Sequence, residues 1–319
     1  MRRSLPGDRP IDPDAPMVSI VMPTRDRAHV LGRAISSVLQ QSVGDFELLV
    51  VDDGSTDATA IVLASYEAHD PRVRVIHLSS AGRGASAARN AGIAAARGEF
   101  VAFVDDDAEW LPTKLERQLE AVRGSGADVV YCRFARVAAD GRIREVGSAA
   151  AERDPWRALL SRAFIDTSTL MVRTTTLQAI GGFDENLPRL QDWDLALRLA
   201  RVGRFAYVPE VLVRSYETPG SISTRTDALE AACERMASKV RAAGASRGEL
   251  ASLLRALGHA LVTSGSVREG RRWLARAWRL QPLSATGSVM LLLAACGSTV
   301  YRAADAVRVA VGSMGSDWR

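Results

Sequence analysis

Lysine is nearly missing from this 319-residue chain: Lys114 and Lys239 are the only two, so arginine carries the positive charge. The formal net charge of +4 is too small to argue for a nucleic-acid partner. Cysteine is scarce as well. Cys132, Cys233 and Cys296 are scattered, odd in number and free of any CxxC spacing. That excludes a disulfide framework and points to a reducing, cytoplasmic compartment. The four histidines, His29, His69, His77 and His259, lack zinc-ligand spacing. Long apolar runs are absent too, the longest being residues 289–296, too short to span a bilayer. Residues 1–16 are rich in Pro, Asp and Arg without an apolar centre, which excludes a signal peptide and reads as a disordered leader. The remaining membrane option is a peripheral position at the inner face.

What is present suits a globular protein. Hydrophobic residues make up 47% and charged residues 24%, enough for a core and for one large domain with an appendage. Charge divides unevenly. Residues 234–319 hold 13 Lys and Arg against 5 Asp and Glu, a net +8, which leaves −4 for the rest. An acidic first part and a basic tail follow.

Apolar runs at 18–22, 46–51, 73–77 and 100–104 read as buried strands. Helical patterns separate them: the stripe Val30, Leu31, Ala34, Ile35, Val38 and Leu39, then residues 58–68 and 85–96. Four alternations of strand and helix predict an α/β fold with a parallel sheet and helices on both faces. Ligands then bind outside the carboxyl ends of the strands. Further on, the patterns predict a helix over 113–122, strands at 129–131 and 170–172, and a short helix over 175–180. A helix around Trp193 and two closing strands at 205–208 and 211–213 complete the series. Beyond residue 228 the chain is rich in Ala, Leu and Arg. Leu254, Leu257, Gly258, Leu261, Gly270 and Leu274 have the register of one tetratricopeptide-like helix pair. The domains expected are a leader over 1–16, an α/β domain over 17–226 and a C-terminal α-helical extension over 227–319.

Two aspartate groups sit at strand ends. In Asp105-Asp106-Asp107, residues two apart point to the same side, so Asp105 and Asp107 form a candidate site for a hard cation. The alternative is capping of the next helix or simple exposure to water. Asp52-Asp53-Gly54-Ser55 has the same alternatives: a carboxylate for a base NH or a ribose hydroxyl, or a turn with Ser55, Thr56 or Asp57 as helix cap.

The strings VSIVMPT (18–24), VDDGSTD (51–57), ARNAG (88–92), GEFVAFVDDD (98–107), WLP (110–112), GGFDE (181–185) and QDWDL (191–195) occur in this order. Together they resemble family 2 glycosyltransferases with the GT-A fold, over roughly residues 18–224. The resemblance implies an inverting transfer of a sugar from a nucleotide-diphospho-sugar, UDP-, GDP- or TDP-linked, to a carbohydrate or lipid-linked acceptor. The setting it implies is cell-surface polysaccharide or glycoconjugate synthesis, without nucleic acid. It implies Mn²⁺ or Mg²⁺ at Asp105 and Asp107, with Asp107 the more direct ligand. It implies nucleotide-sugar contacts from Pro23, Thr24, Asp52, Asp53, Arg83, Asp105 and Asp106. Asp192 falls at the position of the general base, with Gln191 in place of the usual Glu. Thr218 stands where relatives carry a His.

An inverting transfer needs one carboxylate for proton removal and no covalent nucleophile. Asp192 at a helix start has opposing influences: the helix dipole favours its ionised form, while Asp194 and Glu185 oppose that. Two other readings fit parts of the sequence. A catalytically silent assembly factor would act through the helical tail. A nucleotidyltransferase would want a glycine-rich loop after the first strand, which Pro23-Thr24-Arg25-Asp26 does not provide. The basic tail reads either as a solvated helical bundle or as a contact for anionic lipid or another protein.

Overall fold

The computed structural model describes residues 15–79, 82–138, 140–216, 228–297 and 299–304. The leader up to residue 14, and Thr218 with its surroundings, lie outside the described residues. The chain divides into two compact units: one comprises residues 1–156, 164–186 and 191–219, the other residues 157–163, 187–190 and 220–319.

The first unit opens with β1 (Val18–Thr24), α1 (Leu31–Leu39), β2 (Phe46–Asp52), α2 (Thr59–His69), β3 (Val73–His77), α3 (Ala85–Ala95) and β4 (Phe100–Phe103). β1 and β2 are buried along their whole length, which explains their continuous apolar runs. Side chains alternate between the faces of a strand. Val18, Ile20 and Met22 therefore share a core with Leu31, Ala34, Ile35 and Val38 of α1. Burying a Leu, Ile or Val there contributes about 1.5–3 kcal/mol each. Val21 turns to the other face, where α3 lies so close that a Cβ on Gly92 would stand 2.4 Å from its Cγ1. The helices thus cover both faces, as the alternation predicts.

The described strands form one sheet in the order β3-β2-β1-β4-β8-β6-β9-β5, with β7 beside β6. The β3-β2-β1-β4 half is parallel throughout. β5 (Ala108–Trp110), α4 (Lys114–Ser125), β6 (Val129–Val137), β7 (Ile143–Val146), α5 (Ala150–Arg153) and α6 (Pro155–Ser161) follow. Then come a 3₁₀ turn (Thr167–Thr169), β8 (Met171–Arg173), α7 (Thr174–Ala179), α8 (Gln191–Leu199) and β9 (Phe205–Tyr216). β8 reverses the direction: it runs antiparallel to β4 and to β6.

One expectation and one alternative are corrected here. The closing strands at 205–208 and 211–213 are one strand. β9 pairs in parallel with β6, and a register shift at Cys132–Phe134 absorbs the Pro209-Glu210 interruption. The aspartates 105–107 do not lead straight into a helix but into β5, which pairs antiparallel with β9, Trp110 opposite Val213. Three residues give too short a pattern for alternation to reveal them.

Beneath β5 lies an unusual support. Lys114 is fully buried, with its ammonium nitrogen 3.7 Å from the centre of the Trp110 ring. It donates to Gln118 Oε1 at 2.7 Å, and burial pulls its pKa down to about 7. Gln118 Nε2 in turn donates to the Thr169 carbonyl, fastening the 3₁₀ turn.

In the second unit, α9 (Leu229–Ala242), α10 (Arg247–Ser264), α11 (Val267–Leu280) and α12 (Ala285–Ala295) follow one another. Ser246 and Glu249 form a capping box at the start of α10. Leu254, Leu257 and Leu261 of α10 and Trp273, Leu274 and Ala277 of α11 are buried. Gly258 and Gly270 let these two helices approach: a Cβ on Gly270 would lie 2.8 Å from the Val262 nitrogen.

Candidate active site

The carboxyl ends of β1, β2 and β4 lie side by side. Thr24 pairs with Asp52, and the Asp53 amide donates to the Thr24 carbonyl at 3.0 Å. Pro23 is buried within β1, opposite Val51. The residues singled out at these ends are therefore brought together, but they are partnered differently.

Asp52 and Asp53 are braced internally. Asp52 Oδ1 accepts from the Ser55 amide and hydroxyl at 3.0 and 2.5 Å, and Oδ2 lies 3.1 Å from His77 Nδ1. Asp53 accepts from the backbone amides of Arg83 and Gly84 at 3.0 and 2.7 Å. It thereby ties the loop before α3 to the end of β2. Asp57, rather than Ser55 or Thr56, accepts from the Thr59 amide at the start of α2. The Arg83 side chain donates to Glu185 at 3.1 Å. Glu185 also accepts from Asn90 Nδ2 at 2.9 Å.

The second group is crowded with charge. Asp106 turns back toward β1, where its Oδ2 accepts from Thr24 Oγ1 at 2.8 Å and Arg27 Nε stands 3.8 Å from Oδ1. Burial pushes its pKa up to about 7, with the charges of Asp107 and Asp105 adding to the shift. Asp105 accepts from Arg89 Nη2 at 2.6 Å, and its amide donates to Ser168 Oγ at 3.1 Å. Asp107 is half-buried, and its carbonyl accepts from the Tyr216 amide at 3.3 Å.

Asp166 and Asp192 join this group. Asp166 caps the 3₁₀ turn through the Ser168 amide at 3.0 Å, while the Ser168 carbonyl accepts from Trp110 Nε1 at 3.1 Å. Ser168 thus staples Asp166 to both Asp105 and Trp110. Burial pushes the Asp166 pKa up to about 7, and the charges of Asp105 and Asp192 push the same way. Asp192 lies in the first turn of α8, with Oδ1 2.7 Å from the Trp193 amide. Its pKa is nevertheless raised, by burial first and then by Asp105, against the pull of the Trp193 amide, Arg89 and Arg136. Desolvation therefore wins over the helix terminus. Asp194 and Glu185 have other duties: Asp194 pairs with Arg198 at 2.8 Å, and Glu185 with Arg83 and Asn90.

Asp166, Arg89 and Arg136 were not singled out as site residues from sequence. Arg89 sits inside the ARNAG string, but nothing local assigns it the Asp105 carboxylate. For Asp166 the only local signal is Asp followed two residues later by Ser, an ordinary turn pattern.

The description "Glycosyl transferase family 2" fits residues 19–180, half of the chain. The chain belongs to glycosyl transferase family 2. This glycosyltransferase is 32% identical over 195 residues to the putative teichuronic acid biosynthesis glycosyltransferase TuaG of Bacillus subtilis, spanning 60% of the chain and 75% of TuaG. It is 39% identical over 156 residues to the succinoglycan biosynthesis protein ExoO of Rhizobium meliloti, spanning 49% of the chain and 43% of ExoO. Its fold is that of the GT-A structures. S. aureus TarS 1-349, solved with UDP-GlcNAc, superposes with a TM-score of 0.65 at 18% identity, covering 89% of each chain. The mannosyltransferase PcManGT of Pyrobaculum calidifontis, solved with GDP-Man and Mn²⁺, gives 0.59 at 19% identity, covering 88% of this chain and 80% of that one. No helix among the described residues is long and apolar enough to cross a membrane.

The site's donor set suits a hard divalent cation. Mg²⁺ and Mn²⁺ favour carboxylate oxygens, and Mg²⁺ is commonly held by one or two carboxylates with substrate phosphates and water completing the shell. Asp105 and Asp107 supply that number, although no group of three or more His, Cys, Asp or Glu able to hold a metal occurs among the described residues. Burial first, and neighbouring carboxylates after it, raise the pKa values of Asp106, Asp166 and Asp192, and a cation beside them would favour their charged forms.

Proposed function

We propose that this glycosyltransferase transfers a sugar with inversion from a nucleotide-diphospho-sugar to an acceptor hydroxyl, in polysaccharide or glycoconjugate synthesis. The observation that carries this reading is the gathering of Asp105, Asp166 and Asp192 into one electrostatic neighbourhood beside Arg89. The named activities of TuaG and ExoO support the setting.

In this reading Asp192 takes the proton from the acceptor hydroxyl as its oxygen bonds to the anomeric carbon. The bond from that carbon to the diphosphate breaks, and the nucleoside diphosphate leaves. Burial raises the basicity of Asp192, which suits a general base. Asp105 and Asp107 would hold Mn²⁺ or Mg²⁺, whose chemistry is to stabilise the charge that grows on the diphosphate. Arg89 orients Asp105 for that task. Thr24, with Pro23 behind it, and the braces made by Asp52 and Asp53 shape the nucleoside side of the site, and Arg83 borders it. Asp106 keeps Thr24 in place from below.

The test is calorimetry of the full chain with UDP, GDP and TDP, with and without Mn²⁺, followed by transfer assays with the matching sugar nucleotides. Binding of one nucleotide that strengthens with Mn²⁺ is expected. No binding of any of them would sink the proposal.

A further inference from the structure

Eight large apolar side chains are exposed among the described residues, and five of them fall between positions 278 and 300: Trp278, Leu283, Val289, Leu292 and Val300. The cluster has a helical logic. Along α12 and its C-cap, Ala285, Val289, Leu292 and Cys296 follow the i, i+4, i+7, i+11 spacing of one stripe, and all four are exposed. The opposite side of α12 packs inward through Gly287 and Ala294. No charged residue occurs from 280 to 301, while Arg279 and Arg302 flank the stretch. A solvent-facing helix ordinarily carries its charges on the exposed stripe, and this one carries none. Leu292 is 68% exposed and Leu283 99%, so the described residues of the second unit do not cover this face.

Beside it runs a line of positive charge. Arg268, Arg272 and Arg279 share one exposed stripe of α11. That stripe lies about a quarter-turn beyond the edge where α11 meets α12. The edge is marked by Arg271, which donates to the Ala294 and Ala295 carbonyls at 2.6 and 2.9 Å, and by Trp278 Nε1, 3.3 Å from Ser288 Oγ. The described helices of this unit, residues 228–304, hold eleven Lys and Arg against four Asp and Glu.

We propose that this face of α11 and α12 is a docking surface for an anionic phospholipid bilayer. The α12 stripe enters the headgroup boundary, Trp278 sits at the interface, and Arg268, Arg272 and Arg279 meet lipid phosphates. Apolar area combined with flanking basic charge is what interfacial helices use, and α12 is too short to span. Charge favours a bilayer over a second copy of the chain as the occupant. Pairing two copies through this patch would gather the arginine stripes of both at one contact, and the patch itself supplies no counter-charge. A bilayer rich in phosphate offers the complementary sign.

The test is co-sedimentation of the full chain with vesicles of phosphatidylcholine, with and without phosphatidylglycerol, at low and high salt. Binding to the phosphatidylglycerol vesicles, weakened by salt, is expected. Val289→Glu with Leu292→Glu is expected to lower that binding at least about tenfold, since two buried side chains become charged. Arg272→Gln with Arg279→Gln is expected to lower it several-fold at low salt and little at high salt. All four positions are exposed, and unchanged circular dichroism checks that the helices persist. No binding to either vesicle overturns the proposal. So does full binding by both double variants, which moves the lipid contact elsewhere. A concentration-dependent dimer that Val289→Glu with Leu292→Glu abolishes, in a chain that ignores vesicles, also overturns it and makes the face a self-interface.

Discussion

The two aspartate groups at the strand ends have the same residue type and the same topological position, yet opposite electrostatic lives. Asp52 and Asp53 spend their oxygens on Ser55, His77 and the amides of Arg83 and Gly84. Asp105, Asp106, Asp166 and Asp192 each accept from one donor, Arg89, Thr24, the Ser168 amide and the Trp193 amide in turn, and burial raises the pKa values of Asp106, Asp166 and Asp192. A carboxylate saturated by backbone amides builds a loop. A carboxylate buried beside other carboxylates is costly to ionise, and a cation or a proton lowers that cost.

Substitutions can break this contrast. The largest effect is expected at Asp192. Asp192→Asn should lower the rate of transfer about 10²- to 10⁴-fold, the usual scale of general-base loss, while donor affinity by calorimetry stays within about twofold. Equal rates for the two proteins would remove Asp192 from the chemistry. Next, Asp107→Asn should abolish the Mn²⁺ dependence of nucleotide binding, whereas Asp52→Asn should leave that dependence intact. If both variants lose it, the contrast between the groups fails.

Stability should separate the groups in the opposite sense. Asp53→Ala removes two charge-assisted bonds to backbone and should cost about 2–4 kcal/mol in urea unfolding. Asp106→Asn should stabilise. Asp106 has a folded pKa near 7 against 3.8 unfolded, so the folded state holds a proton the unfolded state has lost. Stability therefore falls as pH rises from about 4 through 7. Asp106→Asn escapes that fall, so it should gain on the order of 1–3 kcal/mol at pH 8 and nothing at pH 4. A loss at pH 8 would show that Asp106 is needed charged. The smallest effect is expected at Asp52→Asn, at most about 1 kcal/mol, because an amide oxygen can still accept from Ser55.

The places of the two aspartate groups were legible in the sequence, and the contrast between them was not. Strand periodicity located β1 to β4, and element order placed both aspartate groups at carboxyl ends. What local patterns could not give was how each carboxylate is partnered. Asp53 reads from sequence as a ligand contact as easily as a brace, because its partners lie 30 residues on. Asp166 was invisible for a related reason. Its neighbours Asp105 and Asp192 come from other parts of the chain, and only the antiparallel return of β8 along β4 brings the 3₁₀ turn to them. β5 was too short to show a period, and β9 read as two strands because Pro209 breaks the pattern without breaking the pairing.

One detail bears on how parts of this protein can be exchanged. Asn90 Oδ1 accepts from the Phe183 amide at 2.8 Å, and its Nδ2 donates to the Phe183 carbonyl at 2.9 Å. Gly182 holds φ at 66°, and a Cβ there would stand 2.4 Å from Asn90 Oδ1. Asn90 and Gly182 are thus a lock and its keyhole, written 92 positions apart. A chimera that imports residues 181–185 without a matching position 90, or the reverse, inherits half a fastening. The segment leading to Asp192 would then arrive with its anchor undone.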